Sequence, residues 1–116
     1  MGFMRDLVEP SRGDLRLANV LQALSDPTRL GIVRALGSGE KRACGEFESG
    51  LTKSSLTHHF RVLRESGVTH TRRVGRTHFL TLRADDLNER FPGLLDAVLH
   101  AAEQDDTIPV PHPASA

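Results

Sequence analysis

Leu51 to Gly67 reads LTKSSLTHHFRVLRESG, and its two faces ask for different surroundings. Leu56, Phe60 and Leu63 recur at the three-to-four residue spacing that stacks side chains along one side of a helix. That side must meet a core. Lys53, Ser54, Thr57, His58 and Arg61 recur at the same spacing on the other side, each with a hydrogen-bond donor and none of them acidic. Thr52 is placed to cap the first turn with Ser55 three residues on, so the positive end of the helix dipole lies near Lys53. Such a helix suits an anion. Gly67 supplies the left-handed residue that commonly ends a helix, and Val68 then opens a strand-like run.

Upstream, Ala43 to Ser49 reads as a short helix anchored by Phe47, with Gly50 allowing a bend and Leu51 a further inward anchor. A helix, a Gly-containing turn and a second helix with an exposed basic face make a helix-turn-helix. Downstream, Val68–Thr71 and Thr77–Leu82 read as two strands rich in Thr, Val and Phe, with Arg72, Arg73, Gly75 and Arg76 at a hairpin tip. Three guanidinium groups at a tip belong in solvent or on phosphate, because burial would leave them unpaired. His70 and His78 are expected to face each other across this hairpin, in a DNA-facing role.

Farther out, Asp14 is a plausible cap for a helix whose stripe is Leu17, Val20, Leu21 and Leu24, widened by Leu15 and Ala18. Ser25 or Asp26 caps the next helix, with Pro27 at its first position, where the missing amide proton costs nothing. Leu30, Ile32, Val33 and Leu36 are its buried side, and Arg29 reads as a structural ion-pair partner rather than a phosphate contact. Asp85 or Asp86 begins a further stretch interrupted by Pro92 and Gly93, in which Phe91, Leu94, Leu95, Val98, Leu99 and Ala102 keep a helical apolar period. No remaining sequence covers that last stripe, so it is a dimerisation surface. The expected organisation is a flexible arm over residues 1–13, one domain over 14–104 and a flexible Pro-rich tail over 105–116.

The formal charge of the 116-residue chain is zero, but the charges are segregated. From Lys53 to Arg83 seven Lys or Arg face one acid, Glu65, a net +6. From Ala84 onward seven acids face one base, Arg90, a net −6. A neutral total thus hides a basic patch and an acidic end. The single cysteine, Cys44, excludes an internal disulfide framework and fits a reducing cytoplasm. No apolar run reaches the roughly 18 residues that a membrane span needs. Tyr and Trp are absent, which argues against an aromatic platform for single strands.

TKSSLTHHFRVLRESGV resembles the recognition helix of the ArsR family of bacterial winged helix-turn-helix repressors, whose members carry a Ser-His-His-Leu-like core and a Leu-Arg/Lys-Glu-x-Gly ending. LSDPTRLGIVRAL, from Leu24 to Leu36, is similar to the family's Asp-Pro-x-Arg helix opening, and THTRRVGRTHFLTL, from Thr69 to Leu82, looks like its wing. The three lie in the family's order, and the resemblance spans Leu15 to Val98. It implies a mainly α fold with a two-stranded β-wing (α+β), a homodimer through the first and last helices, and repression by covering a promoter in the cytoplasm.

On this reading Lys53, Arg61, Arg72, Arg73 and Arg76 neutralise phosphates of double-stranded DNA, while Ser54, Thr57 and His58, with Ser55 at the same end of the helix, address base edges. His59, beside Leu56 and Leu63 on the wheel, is a half-buried structural histidine. Leu17, Val20, Leu21, Leu24, Phe91, Leu94, Leu95, Val98 and Leu99 form the dimer contacts. A two-fold pair of such helices, about 34 Å apart, selects an imperfect inverted repeat.

Many members of the resembled family release DNA when a metal binds paired thiols in or near the helix before the turn, but in KRACGEFES one thiol per chain stands where two would be needed. Cys44 is therefore either a small packing residue or a candidate sensor. Asp96, His100 and Glu103 share one helix face and match a second family site type only weakly, since a solvated face looks the same. No cofactor is expected, and the sequence does not name an inducer. His58 and His59 point about 100° apart on a helix, which argues against an enzyme. The competing class is a winged-helix protein-interaction module whose basic face meets an acidic protein or its own acidic tail, without specific DNA binding.

Overall fold

Asp26 and Pro27 start the first long helix by two complementary devices. The Asp26 carboxylate accepts the backbone N–H of Arg29 at 3.0 Å, and Pro27 occupies a position whose N–H would have no helical partner. The computed structural model describes residues 9–47 and 52–109, and in it this helix, α2, runs Pro27–Leu36 after a shorter α1, Leu17–Ala23. Ile32, Val33 and Leu36 of α2 are fully buried.

Asp14 does not cap α1. Ser11 Oγ donates to its carboxylate at 2.9 Å, Arg12–Asp14 forms a 3-10 turn, and α1 starts from Arg16 without a side-chain cap. The extra turn sends Leu15 into the core, where its side chain lies against Gly67. The expected stripe of α1 is also split. Val20 and Leu24 are buried within the subunit, whereas Leu17 and Leu21 are each 45% exposed.

The second correction concerns Ala43, which is strand and not helix. Arg42–Ala43 form β1, followed by a 3-10 turn over Cys44–Glu46; the rest of the expected helix and Leu51 lie largely outside the described residues. A short strand is favoured here because the second hairpin strand has an unpaired edge to offer, and Arg42 Nε is held by the Ala35 carbonyl at the end of α2 at 3.1 Å. The hairpin strands are β2, Thr69–Val74, and β3, Thr77–Leu82. The sheet therefore has three antiparallel strands in the order β1-β3-β2, one more than the two-stranded wing expected.

Between β1 and β2 lies α3, Lys53–Ser66. Thr52 Oγ1 accepts the Ser55 N–H at 3.1 Å, and Gly67 ends the helix at φ 88° with the Val68 N–H bonded to the Leu63 carbonyl, the six-to-one bond of a Schellman ending. Leu63 is fully buried, and Phe60 meets Phe47 edge to face at 5.6 Å between ring centres. Two helices close the fold, α4 over Ala84–Arg90 and α5 over Leu94–Glu103, with Gly93 between them at φ 84°. The layout is α+β, a winged helix with five α-helices and a three-stranded sheet among the described residues.

Some residues of the two segments expected to be loose carry contacts. Glu9 accepts the Thr71 N–H of β2 at 2.8 Å, and Pro10 offers its carbonyl to Arg83. Beyond α5, Asp105 accepts from Thr107, and Ile108 is buried. Residues 1–8 and 110–116 lie outside the described residues.

Candidate nucleic-acid interface

The polar face of α3 is open. Lys53, Ser54, Thr57, His58 and Arg61 are all exposed and together line one shallow depression along the helix. Ser55 is turned away from it, half-buried, its hydroxyl oxygen accepting from Thr52 at 3.1 Å as part of the cap. Thr57 also differs from its neighbours, because its hydroxyl donates back to the Lys53 carbonyl at 2.9 Å.

Several arginines are held within the fold. Arg29, Arg42, Arg83 and Arg90 each donate to a backbone carbonyl, of Ala23, Ala35, Pro10 and Leu15 respectively. Arg12 and Arg83 also take up Asp86, and Arg12 reaches Glu89. Among the described residues no carboxylate pairs with Lys53, Arg61, Arg72, Arg73 or Arg76. Lys53, Arg61, Arg72, Arg73 and Arg76 are all exposed, whereas Arg64, nearer the C-terminal end of α3, is buried.

The register of the hairpin decides where the wing cations point. Val74 pairs with Thr77, leaving Gly75 and Arg76 as a two-residue turn, with φ positive at Gly75 alone of the two (62°), the pattern of a II′ hairpin. Because side chains alternate along a strand, Arg73 shares the face of Thr69 and Thr71, while Arg72 shares the other with His70 and Val74. Arg73 Nε donates to the Gly75 carbonyl at 3.0 Å, which braces the tip. His70 and His78 do not face each other; they pair with Thr81 and Arg73 and lie on opposite faces. His70 Nδ1 instead meets Glu9 at 2.7 Å.

His59 is half-buried, as expected from its place on the wheel. Its Nδ1 lies 3.1 Å from an Arg29 guanidinium nitrogen, which requires it to accept, and burial holds its pKa below the usual imidazole value against the pull of Asp26, with Arg29 adding to the lowering. Arg29 is thus structural, although its chief partners are a carbonyl and an imidazole rather than an acid. His58, by contrast, faces outward; the two rings are tilted by 57° with centres 5.8 Å apart.

Cys44 is half-buried against the core. Burial pushes its thiol up to about 11, only partly opposed by Arg64, so at neutral pH it is protonated and a slow nucleophile. Asp96, His100 and Glu103 are all exposed, and among the described residues no three His, Cys, Asp or Glu gather closely enough to hold a metal ion. Of the expected dimer contacts, Val20, Leu24 and Leu95 are taken up in the subunit core. Leu17 and Leu21 remain open, and Phe91, Leu94, Val98 and Leu99 are half-buried.

Two features had no signal in the sequence pattern. Strand β1 brings Lys41 onto the wing sheet, its Nζ 4.7 Å from the centre of the Phe79 ring, and so adds a cation to that surface. A second shallow groove between α1 and α3, lined by Asn19, Gln22, Arg29 and Glu65 among others, joins the first through His58.

A helix-turn-helix domain model matches residues 24–72, the span from the end of α1 into the wing. The chain is 39% identical over 84 residues to the HTH-type transcriptional regulator YceK of Bacillus subtilis, covering 70% of this chain and 84% of that protein. It is 34% identical over 73 residues to the arsenical resistance operon repressor of Staphylococcus xylosus, covering 62% and 70%. It is 30% identical over 81 residues to the transcriptional repressor SdpR of Bacillus subtilis, covering 69% and 90%. With an uncovered cationic helix face, a braced basic hairpin and relatives that are HTH-type regulators and repressors, the chain belongs to the ArsR family of winged helix-turn-helix transcriptional regulators.

Proposed function

We propose that the protein is a homodimeric repressor that binds an imperfect inverted repeat in duplex DNA and acts by covering a promoter. The observation that carries this reading is the set of exposed cations on α3 and the wing, Lys53, Arg61, Arg72, Arg73 and Arg76, with no carboxylate partner among the described residues, whereas Arg12 and Arg83, away from that face, both hold Asp86. Lys53 and Arg61 flank the middle of α3, where Ser54, Thr57 and His58 would face the major groove. Arg72 and Arg73 leave opposite faces of one hairpin and Arg76 occupies its turn, so a hairpin entering a groove edge-on would offer a cation to each wall. Leu17 and Leu21, with the half-buried side of α5, supply the apolar surface a second copy would cover. Release by a thiol-directed signal would first require Cys44 to be uncovered. Among the described residues no helix is long and apolar enough to cross a membrane.

The test is a salt titration of duplex binding. Each phosphate contact contributes about 0.9 to the slope of log affinity against log salt, and a dimer doubles it. Changing Arg72, Arg73 and Arg76 together to Ala is expected to flatten the slope by about 5. An unchanged slope removes the wing from the interface, and no retention of any duplex at low salt sinks the DNA reading in favour of a protein partner.

A further inference from the structure

Thr57 sits in the middle of the reading face, one helical turn from Lys53 on one side and from Arg61 on the other. Its hydroxyl hydrogen is already used, so it has none to donate to a base. Oγ1 is turned back along the helix and donates to the Lys53 carbonyl at 2.9 Å, a local bond that Ser and Thr commonly make in helices. The Cβ of threonine carries only the hydroxyl, the γ-methyl and a hydrogen, so with the hydroxyl folded onto the backbone the methyl is the group left for outward contact. The other four residues of the depression, Lys53, Ser54, His58 and Arg61, end in polar atoms. The reading face therefore has one apolar point at its centre.

We infer that Thr57 is a specificity-determining residue that reads the C5-methyl group of a thymine in the major groove through its own methyl, and makes no hydrogen bond to a base edge. This rests on the proposed DNA-binding role of α3 and names the chemistry of one of its contacts. The major groove presents a methyl only at thymine, and van der Waals contact between two methyl groups that leave water together discriminates thymine from cytosine or uracil. A serine would keep the bond to Lys53 and lose the methyl. A valine would keep both branches of the side chain and lose the hydroxyl.

The experiment selects bound sequences from a randomised duplex pool with the full chain, then replaces each thymine of the enriched half-site by uracil, which differs only in lacking the methyl. Wild-type protein is expected to lose about three- to fivefold in affinity at one thymine per half-site. Thr57→Val retains that penalty and the enriched sequence, whereas Thr57→Ser loses the penalty at that thymine alone; thermal unfolding of both variants, read alongside, is expected to match wild type because the position is exposed. An enriched sequence indifferent to uracil everywhere overturns this inference and leaves DNA binding standing. So does a Val variant that loses the selectivity which the Ser variant keeps, since the hydroxyl would then be the reader. A pool from which nothing is enriched overturns both.

Discussion

Gly67 is the residue whose replacement has the clearest consequence. Its φ of 88° lies where L side chains are strained, and a Cβ there would run into the Leu15 side chain, so backbone and packing object together. Gly67→Ala is expected to cost about 2–4 kcal/mol in chemical denaturation, with α3 fraying at its C-terminal end. The sequence made the helix stop legible, because glycine after a periodic run is a local signal. It could not show Leu15 as the neighbour, and for the same reason Asp14 looked like a cap. The contact that sets the path of residues 11–16 is a long-range one, and helical spacing carries no trace of it. The hydroxyl of Thr57 is a similar case, since residue type names a donor but not the acceptor it finds.

At the scale of elements, α2 and α3 are joined by a small polar cluster in which Asp26, Arg29 and His59 meet. Burial lowers the His59 pKa from the ordinary 6.5, so as acid is added the unfolded chain takes up this proton before the folded one does. The contribution is complete above 6.5 and declines as pH falls through it toward the folded value. Stability measured by denaturation is expected to fall over that range, and His59→Gln is expected to remove this part of the acid dependence; an identical pH profile in the variant would assign the decline to other histidines. α2, α3 and the hairpin were legible because caps, turn glycines and apolar period agreed at each. β1 was not, since two residues show no period, and its partner is supplied by β3 far along the chain. The consequence for the site is that Lys41 went unnoticed while Lys53, Arg61 and the wing arginines did not.

For the whole molecule, the exposed pair Leu17 and Leu21 on α1 is the simplest handle on assembly. Leu17→Glu with Leu21→Glu is expected to leave the chain folded by circular dichroism while shifting the proposed dimer to monomer in sedimentation. Duplex affinity is expected to drop about a hundredfold or more, because the second half-site contact ceases to be intramolecular. A variant pair that still sediments as a dimer would move the association surface elsewhere.

The segregation of charge has an effect that a net value of zero conceals. With the excess positive groups on α3 and the wing and the excess negative ones on α4, α5 and beyond, each subunit is an electric dipole without being an ion. Near pH 7, close to its isoelectric point, it should drift little in an applied field, yet a polyanion nearby exerts a torque that turns the reading side forward before any contact is made. Capture rates would then depend on ionic strength even though electrophoresis at neutral pH reports almost nothing.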